Sequence, residues 1–166
     1  MVPVMRRLLP LLAVLACVAP ATANAASEHL WATVNVCDTP GARNVIGIRA
    51  SMPGNGTAQR MYMRFEAQWY SGKRRRFVPT GSSSRWVSAG SARYRSSQAG
   101  FSFQFDEPPA GTAFLMRGKV SYQWRARRGK RWAVVRRASR LTRAGMGGVR
   151  GGDPEGRSDA RCLIRH

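Results

Sequence analysis

The 166-residue chain is short of acid: eight Asp and Glu stand against 28 Lys and Arg, a formal charge of +20. It is equally short of lysine, since only Lys73, Lys119 and Lys130 among those cations are Lys. Histidine is confined to His29 and His166, and cysteine to Cys17, Cys37 and Cys162. Each scarcity excludes something. Acid–base and nucleophilic catalysis need titratable groups that converge. With both His near the ends, no Ser–His–acid triad is expected, and Ser82, Ser83 and Ser84 read as a loop. Asp153, Glu155 and Asp159 do not match a calcium-binding loop. Arg150, Arg157 and Arg161 stand among them, so an Arg–carboxylate network is expected there. Asp106 and Glu107 adjoin Pro108 as turn residues, and Glu66, on the polar face beside Arg64, is expected in a cross-strand ion pair. Residues 145–152 carry no phosphate-binding fingerprint. Neither an enzyme, a metal nor a cofactor is expected.

Long apolar runs are scarce too. Leu8–Val18 is broken only by Pro10, yet it falls short of the roughly 20 residues that cross a bilayer. Arg6 and Arg7 precede it and Ala23-Asn24-Ala25 follows, which reads as an export signal over residues 1–25. The alternatives are an uncleaved membrane tether, or a lipid-modified Cys17 in which Leu15 stands where a small residue is needed. Cleavage leaves a secreted single domain, 26–166, from which Arg6 and Arg7 have gone, so the charge of +20 falls to +18. It also leaves an even pair, Cys37 and Cys162. In an oxidising compartment that pair reads as a disulfide. A redox pair would have the short Cys-x-x-Cys spacing, and a metal site would need further His or Cys ligands. Loop closure across so long a separation contributes up to about 4–5 kcal/mol.

What the chain does have is alternation with a period of two. Met61, Met63, Phe65, Ala67 and Trp69 alternate with Tyr62, Arg64, Glu66 and Gln68. That is the pattern of a strand with one buried and one solvated face. Phe101, Phe103 and Phe105 repeat it, and Phe114, Met116, Gly118, Val120, Tyr122 and Trp124 carry it over the longest run. Gly118 predicts a bulge or a close approach of backbone. Shorter strands are expected over 30–37, 45–52, 75–79, 85–88, 131–137 and 160–165. Between them, Gly, Pro, Asn and Asp mark tight turns. Asn55-Gly56-Thr57 is one of these turns as well as a formal glycosylation acceptor. Residues 144–156 are Gly-rich without alternation and read as a mobile loop before the last strand. No helical period is sustained, so the fold class is all-β, an antiparallel sandwich of about 7–9 strands with one disulfide.

Strand number, spacing and the aromatic-rich inward faces over Leu30–Thr142 resemble the immunoglobulin-like and fibronectin-like β-sandwiches. The layout of Cys37, Cys162 and the Asp153-Pro154 loop also resembles secreted proteins of high-GC bacteria, from which no activity carries over. The first resemblance implies architecture alone. Immunoglobulin domains join two facing core strands by their disulfide, against a Trp. Here the bond would tie the first strand to the C-terminal segment.

The charge has direction. No acid occurs from Ala67 to Phe105 or from Pro108 to Gly152, while basic residues recur through both. In an immunoglobulin-like sandwich the Met61, Phe114 and Arg131 strands would share one sheet. Its solvent face would carry Arg64, Arg117, Lys119 and Arg125, with Tyr62 and Tyr70 between them. Its hairpin ends would add Lys73, Arg74, Arg75 and Arg76 at one turn and Arg127, Arg128 and Arg131 at another. Three readings follow. The first is a solvated face, with Arg in place of Lys through coding bias, on a module that binds protein partners. The second is a non-enzymatic surface that holds an anionic surface polymer or lipid headgroups, since guanidinium binds phosphate and carboxylate in bidentate fashion. The third is single-stranded nucleic acid, which export disfavours.

Overall fold

A computed structural model describes residues 28–166. The export signal, the tether reading and Cys17 lie outside them. The fold is all-β. A smaller antiparallel sheet has β1 (Trp31–Thr39), β2 (Ala42–Pro53) and β6 (Ser96–Gln104) in the order β1-β2-β6. A larger sheet is built on β4 (Arg76–Ser83), β3 (Arg60–Ser71), β7 (Ala113–Arg128) and β8 (Arg131–Leu141), in the order β4-β3-β7-β8. To it β5 (Val87–Ser91) adds beside β3 and β9 (Cys162–Arg165) beside β7. Among the described residues, no helix is long and apolar enough to cross a membrane.

The two strongest alternations become the centre of the larger sheet. β3 and β7 pair without a slip from Arg60↔Arg125 to Trp69↔Met116, so their apolar residues share the inner face. Met61, Met63, Phe65, Val120, Tyr122 and Trp124 are fully buried in one cluster with Ile46, Ile48 and Met52 of β2. Such large side chains each contribute about 1.5–3 kcal/mol of transfer free energy. The buried aromatics also bond across the sandwich. Tyr122 Oη donates to the Trp31 carbonyl at 2.8 Å and Trp124 Nε1 to the Pro53 carbonyl at 3.0 Å. Their polar ends are thereby satisfied. Phe101 lies opposite Ile48 and beside Phe65, but on the edge strand β6 it stays half-exposed.

β1 is buried along nearly its whole length because its free edge is covered. The cover is the Gly-rich segment that sequence alone reads as mobile. Arg143 N donates to the Ala32 carbonyl, Val34 and Asp159 exchange backbone bonds, and Asp153 N donates to the Asn35 carbonyl at 2.8 Å. Thr33 and Asn35 bond to Ser158 and to the Gly151 carbonyl from their side chains. An uncovered edge would be a template for another chain. Cys37 and Cys162 are disulfide-bonded with Cα atoms 5.3 Å apart. Because Cys37 lies on β1 and Cys162 on β9, the bond joins the two sheets. Such a bond belongs to an oxidising, extracytoplasmic environment.

Two local expectations resolve differently. Ser82 and Ser83 belong to β4, not to a loop, because a bulge over Thr80–Ser82, opposite Ala67, carries the pairing from Gln68↔Pro79 to Glu66↔Ser83. Ser84 is buried and its hydroxyl accepts from Phe65 N at 3.0 Å. At Gly118 the close approach is made by side chains and not by backbone. A Cβ there would lie 2.6 Å from Ile48 Cδ1 and 2.8 Å from Thr142 Cγ2.

Candidate functional site

β3, β7 and β8 share one sheet, and Arg64, Arg117, Lys119 and Arg125 alternate with its buried residues on the outer side. Tyr62 and Tyr70 lie on that side as well. The basic residues nevertheless do not form one patch. β3 runs antiparallel to β7, so the turn bearing Lys73, Arg74, Arg75 and Arg76 sits beyond the Met116 end of β7. Arg127, Arg128 and Arg131 form the β7–β8 turn at the opposite end. At about 3.3 Å per residue, the stretch of β7 from Met116 to Arg128 spans roughly 40 Å.

The structure gathers cations most closely where β7 changes partners. On the side away from β3, β9 pairs with Ala113–Met116 and β8 with Lys119–Arg128. Between these partners lies a cleft of about 760 Å³. Its walls carry Arg117, Lys119, Arg143 and Arg161, and no carboxylate; Arg140 also borders it, but pairs with buried Val120 and so belongs to the inner side of the sheet. Thr142 holds the junction: its hydroxyl accepts from Gly118 N at 3.1 Å and donates to the Ala160 carbonyl at 2.6 Å. One residue therefore fixes the end of β8, the middle of β7 and the approach to β9.

Arg117 forms the floor. Its Nε donates to Gln68 Oε1 at 2.8 Å, and its guanidinium lies 4.2 Å over the Phe77 ring. Arg161 reaches the same ring at 5.6 Å. Partial burial, and then the positive charge of Arg161, hold the Arg117 guanidinium below its usual pKa. The cause is physical: two like charges share a partly desolvated site, and among the described residues neither is ion-paired to a carboxylate. Gln68 in turn donates to Glu66 Oε1 at 2.8 Å. Glu66 lies across from Lys119, but no ion pair of Glu66 is formed among the described residues; the neighbouring Arg64 donates to Ser83 Oγ at 2.8 Å.

At the other end of the same face, cations are matched to rings. Arg125 lies 4.2 Å over Tyr62 and 5.5 Å from Trp86, while its Nε and Nη2 donate to Gln123 Oε1. Arg60 lies 4.4 Å over Trp132. Here guanidiniums cover aromatic surface in contact with water.

The remaining polar clusters are structural. Of the Arg–carboxylate network expected here one pair forms, Arg157 with Asp159 at 2.8 Å; with Asp153 accepting from Thr39 it holds the Gly-rich segment over β1. Among the described residues no group of three or more His, Cys, Asp or Glu is placed to hold a metal. His29 accepts from Arg95, while His166 contacts the Pro108 carbonyl. On the smaller sheet, Arg49 is partly buried beside Gly100 and Gly151, its pKa lowered by that burial and by Arg150.

Of the residues expected on a binding face, Arg117 and Lys119 line the cleft. Arg64 and Arg125 lie further along, and the two turns stand apart. Arg140, Arg143 and Arg161 were not singled out from sequence as site residues. Their signal is tertiary, since β8 ends and β9 begins on the same edge of β7. No protein-family model matches the chain, and no curated protein does.

Proposed function

We propose that this chain is an exported, non-enzymatic binding module of immunoglobulin-like architecture that holds an anionic polymer on the outer face of its larger sheet. The principal site is the cleft between β8 and β9. One observation carries the reading: Arg117, Lys119, Arg143 and Arg161 gather around about 760 Å³, with no carboxylate in the walls. A solvated surface has no need to crowd Arg117 and Arg161 over one ring. A polyanion would relieve their repulsion and accept bidentate bonds from their free N–H edges.

Retention on immobilised polyphosphate and on polygalacturonate across a salt gradient tests the reading. Replacing Arg117, Lys119 and Arg161 with Ser is expected to lower the eluting salt well below the effect of replacing Arg127, Arg128 and Arg131. Equal shifts from the two triple variants would identify the charge as scattered and the face as merely solvated. Preference for single-stranded DNA over both columns would favour the nucleic-acid reading instead.

A further inference from the structure

A second, chemically different cavity opens at the Met116 end of the sandwich. It measures about 380 Å³ and is lined by Trp69, Phe105, Phe114 and Met116, with Thr80 and Ser82 at its side. It exists because the smaller sheet ends early. β6 stops at Gln104, and none of the eight residues of β4 is buried. Trp69 belongs to the inward series of β3, yet it is 40% exposed. The bulged β4 residues Thr80 and Ser82 stand at its side.

The rim is asymmetric in charge. On one side the β3–β4 turn presents Lys73, Arg74, Arg75 and Arg76, all exposed. Arg76 pairs with Ser71, so it shares the inward side of the sheet with Trp69 and Val78. On the other side Asp106 and Glu107 follow Phe105, and Glu107 faces His166 at 3.7 Å. An apolar slot with a cationic rim on one side matches an amphiphile with a negative head. It does not match a free inorganic anion, which would leave the aromatic walls in water.

We propose that this end of the sandwich binds a single acyl chain carrying an anionic head group, the chain in the Trp69–Phe105–Phe114 cleft and the head among Lys73, Arg74 and Arg76. The site is independent of the Arg117–Arg161 cleft, which lies on the outer face.

The test is titration of the purified protein with dodecyl phosphate below its micelle concentration, followed by calorimetry and tryptophan emission. One-to-one saturation is expected, with an emission change that Trp69→Phe abolishes. Ser82→Phe fills the slot from an exposed position and should weaken binding at least tenfold. Replacing Lys73, Arg74 and Arg76 with Ser should weaken dodecyl phosphate while leaving dodecanol unchanged. Arg117→Ser with Arg161→Ser should leave dodecyl phosphate binding intact, which separates this site from the polymer site. The proposal fails if inorganic phosphate competes at equal concentration, or if Ser82→Phe has no effect. It also fails if that double variant abolishes binding. Binding to phosphatidylglycerol vesicles without binding to the monomeric amphiphile would overturn it in favour of a membrane-surface contact.

Discussion

Arg117 and Arg125 occupy the same face of the same strand, four outward positions apart, and they differ in kind. Arg125 rests on Tyr62 and Trp86 and is bonded to Gln123, so its charge is local packing turned toward water. Arg117 is also stacked and bonded, but it lies on the floor of a cleft where Arg161 crowds it and no carboxylate lines the walls. One arginine supports the fold. The other is held against an electrostatic cost that a bound anion would remove. Net charge cannot make this distinction; what surrounds each guanidinium can.

The comparison breaks most severely through the disulfide. Replacing Cys37 and Cys162 with Ser frees β9 from β1 and costs about 2–5 kcal/mol in denaturant unfolding. It should also loosen the Arg161 wall and reduce polyanion retention, while the Arg125 end keeps its geometry. Next comes Gly118→Ala, which drives a methyl into Ile48 and Thr142 beneath the cleft. Overpacking of this kind costs about 1–3 kcal/mol, read from the shift in denaturation midpoint.

A finer probe is the contrast in sign between the two arginine sites. Arg117→Ser with Arg161→Ser should lower polyanion affinity about tenfold or more, equivalent to about 1.4 kcal/mol, with little loss of stability because a repulsion goes with the charges. Arg125→Ser should do the reverse. Affinity should hold, while about 0.5–1 kcal/mol of stability is lost with the ring contacts. If both variants lose affinity equally, the two ends are one surface and the distinction collapses.

A further control lies under the sheet, where Tyr122 is buried. Desolvation pushes its phenol above the usual range, opposed in part by Arg140. The folded state therefore keeps a proton that the unfolded chain releases near pH 10. The stabilisation is complete below that pH and is lost as the pH rises beyond it. Tyr122→Phe should flatten this alkaline loss and cost about 1 kcal/mol at neutral pH, the bond to the Trp31 carbonyl. Unfolding curves measured between pH 8 and about 11 would read both effects.

Much of the fold is legible in the chain because strand alternation is a local signal. Met61–Trp69 and Phe114–Trp124 announce β3 and β7, and the pair of cysteines outside the expected export signal announces the Cys37–Cys162 bond. The strap over β1 leaves no such mark. Its partners lie more than a hundred residues away, and its glycines show only that the backbone turns. The cleft was half legible for the same reason. Arg117 and Lys119 are placed by alternation on β7, whereas Arg140, Arg143 and Arg161 converge only when β8 and β9 share an edge. The apolar end of the sandwich was hidden by the alternation itself, which assigns Trp69 and Phe105 inward without saying where the facing sheet stops.

The covered edge of β1 has a consequence for how the molecule comes into being. A chain is made from its N-terminus, so β1 and Cys37 emerge long before the strap of residues 143–159 and before Cys162, 125 positions later. Until then β1 has β2 on one side and nothing on the other. The first strand to appear is thus the last to be completed, and a truncation shortly before residue 143 would release a sheet with a bare apolar edge and an unpaired thiol.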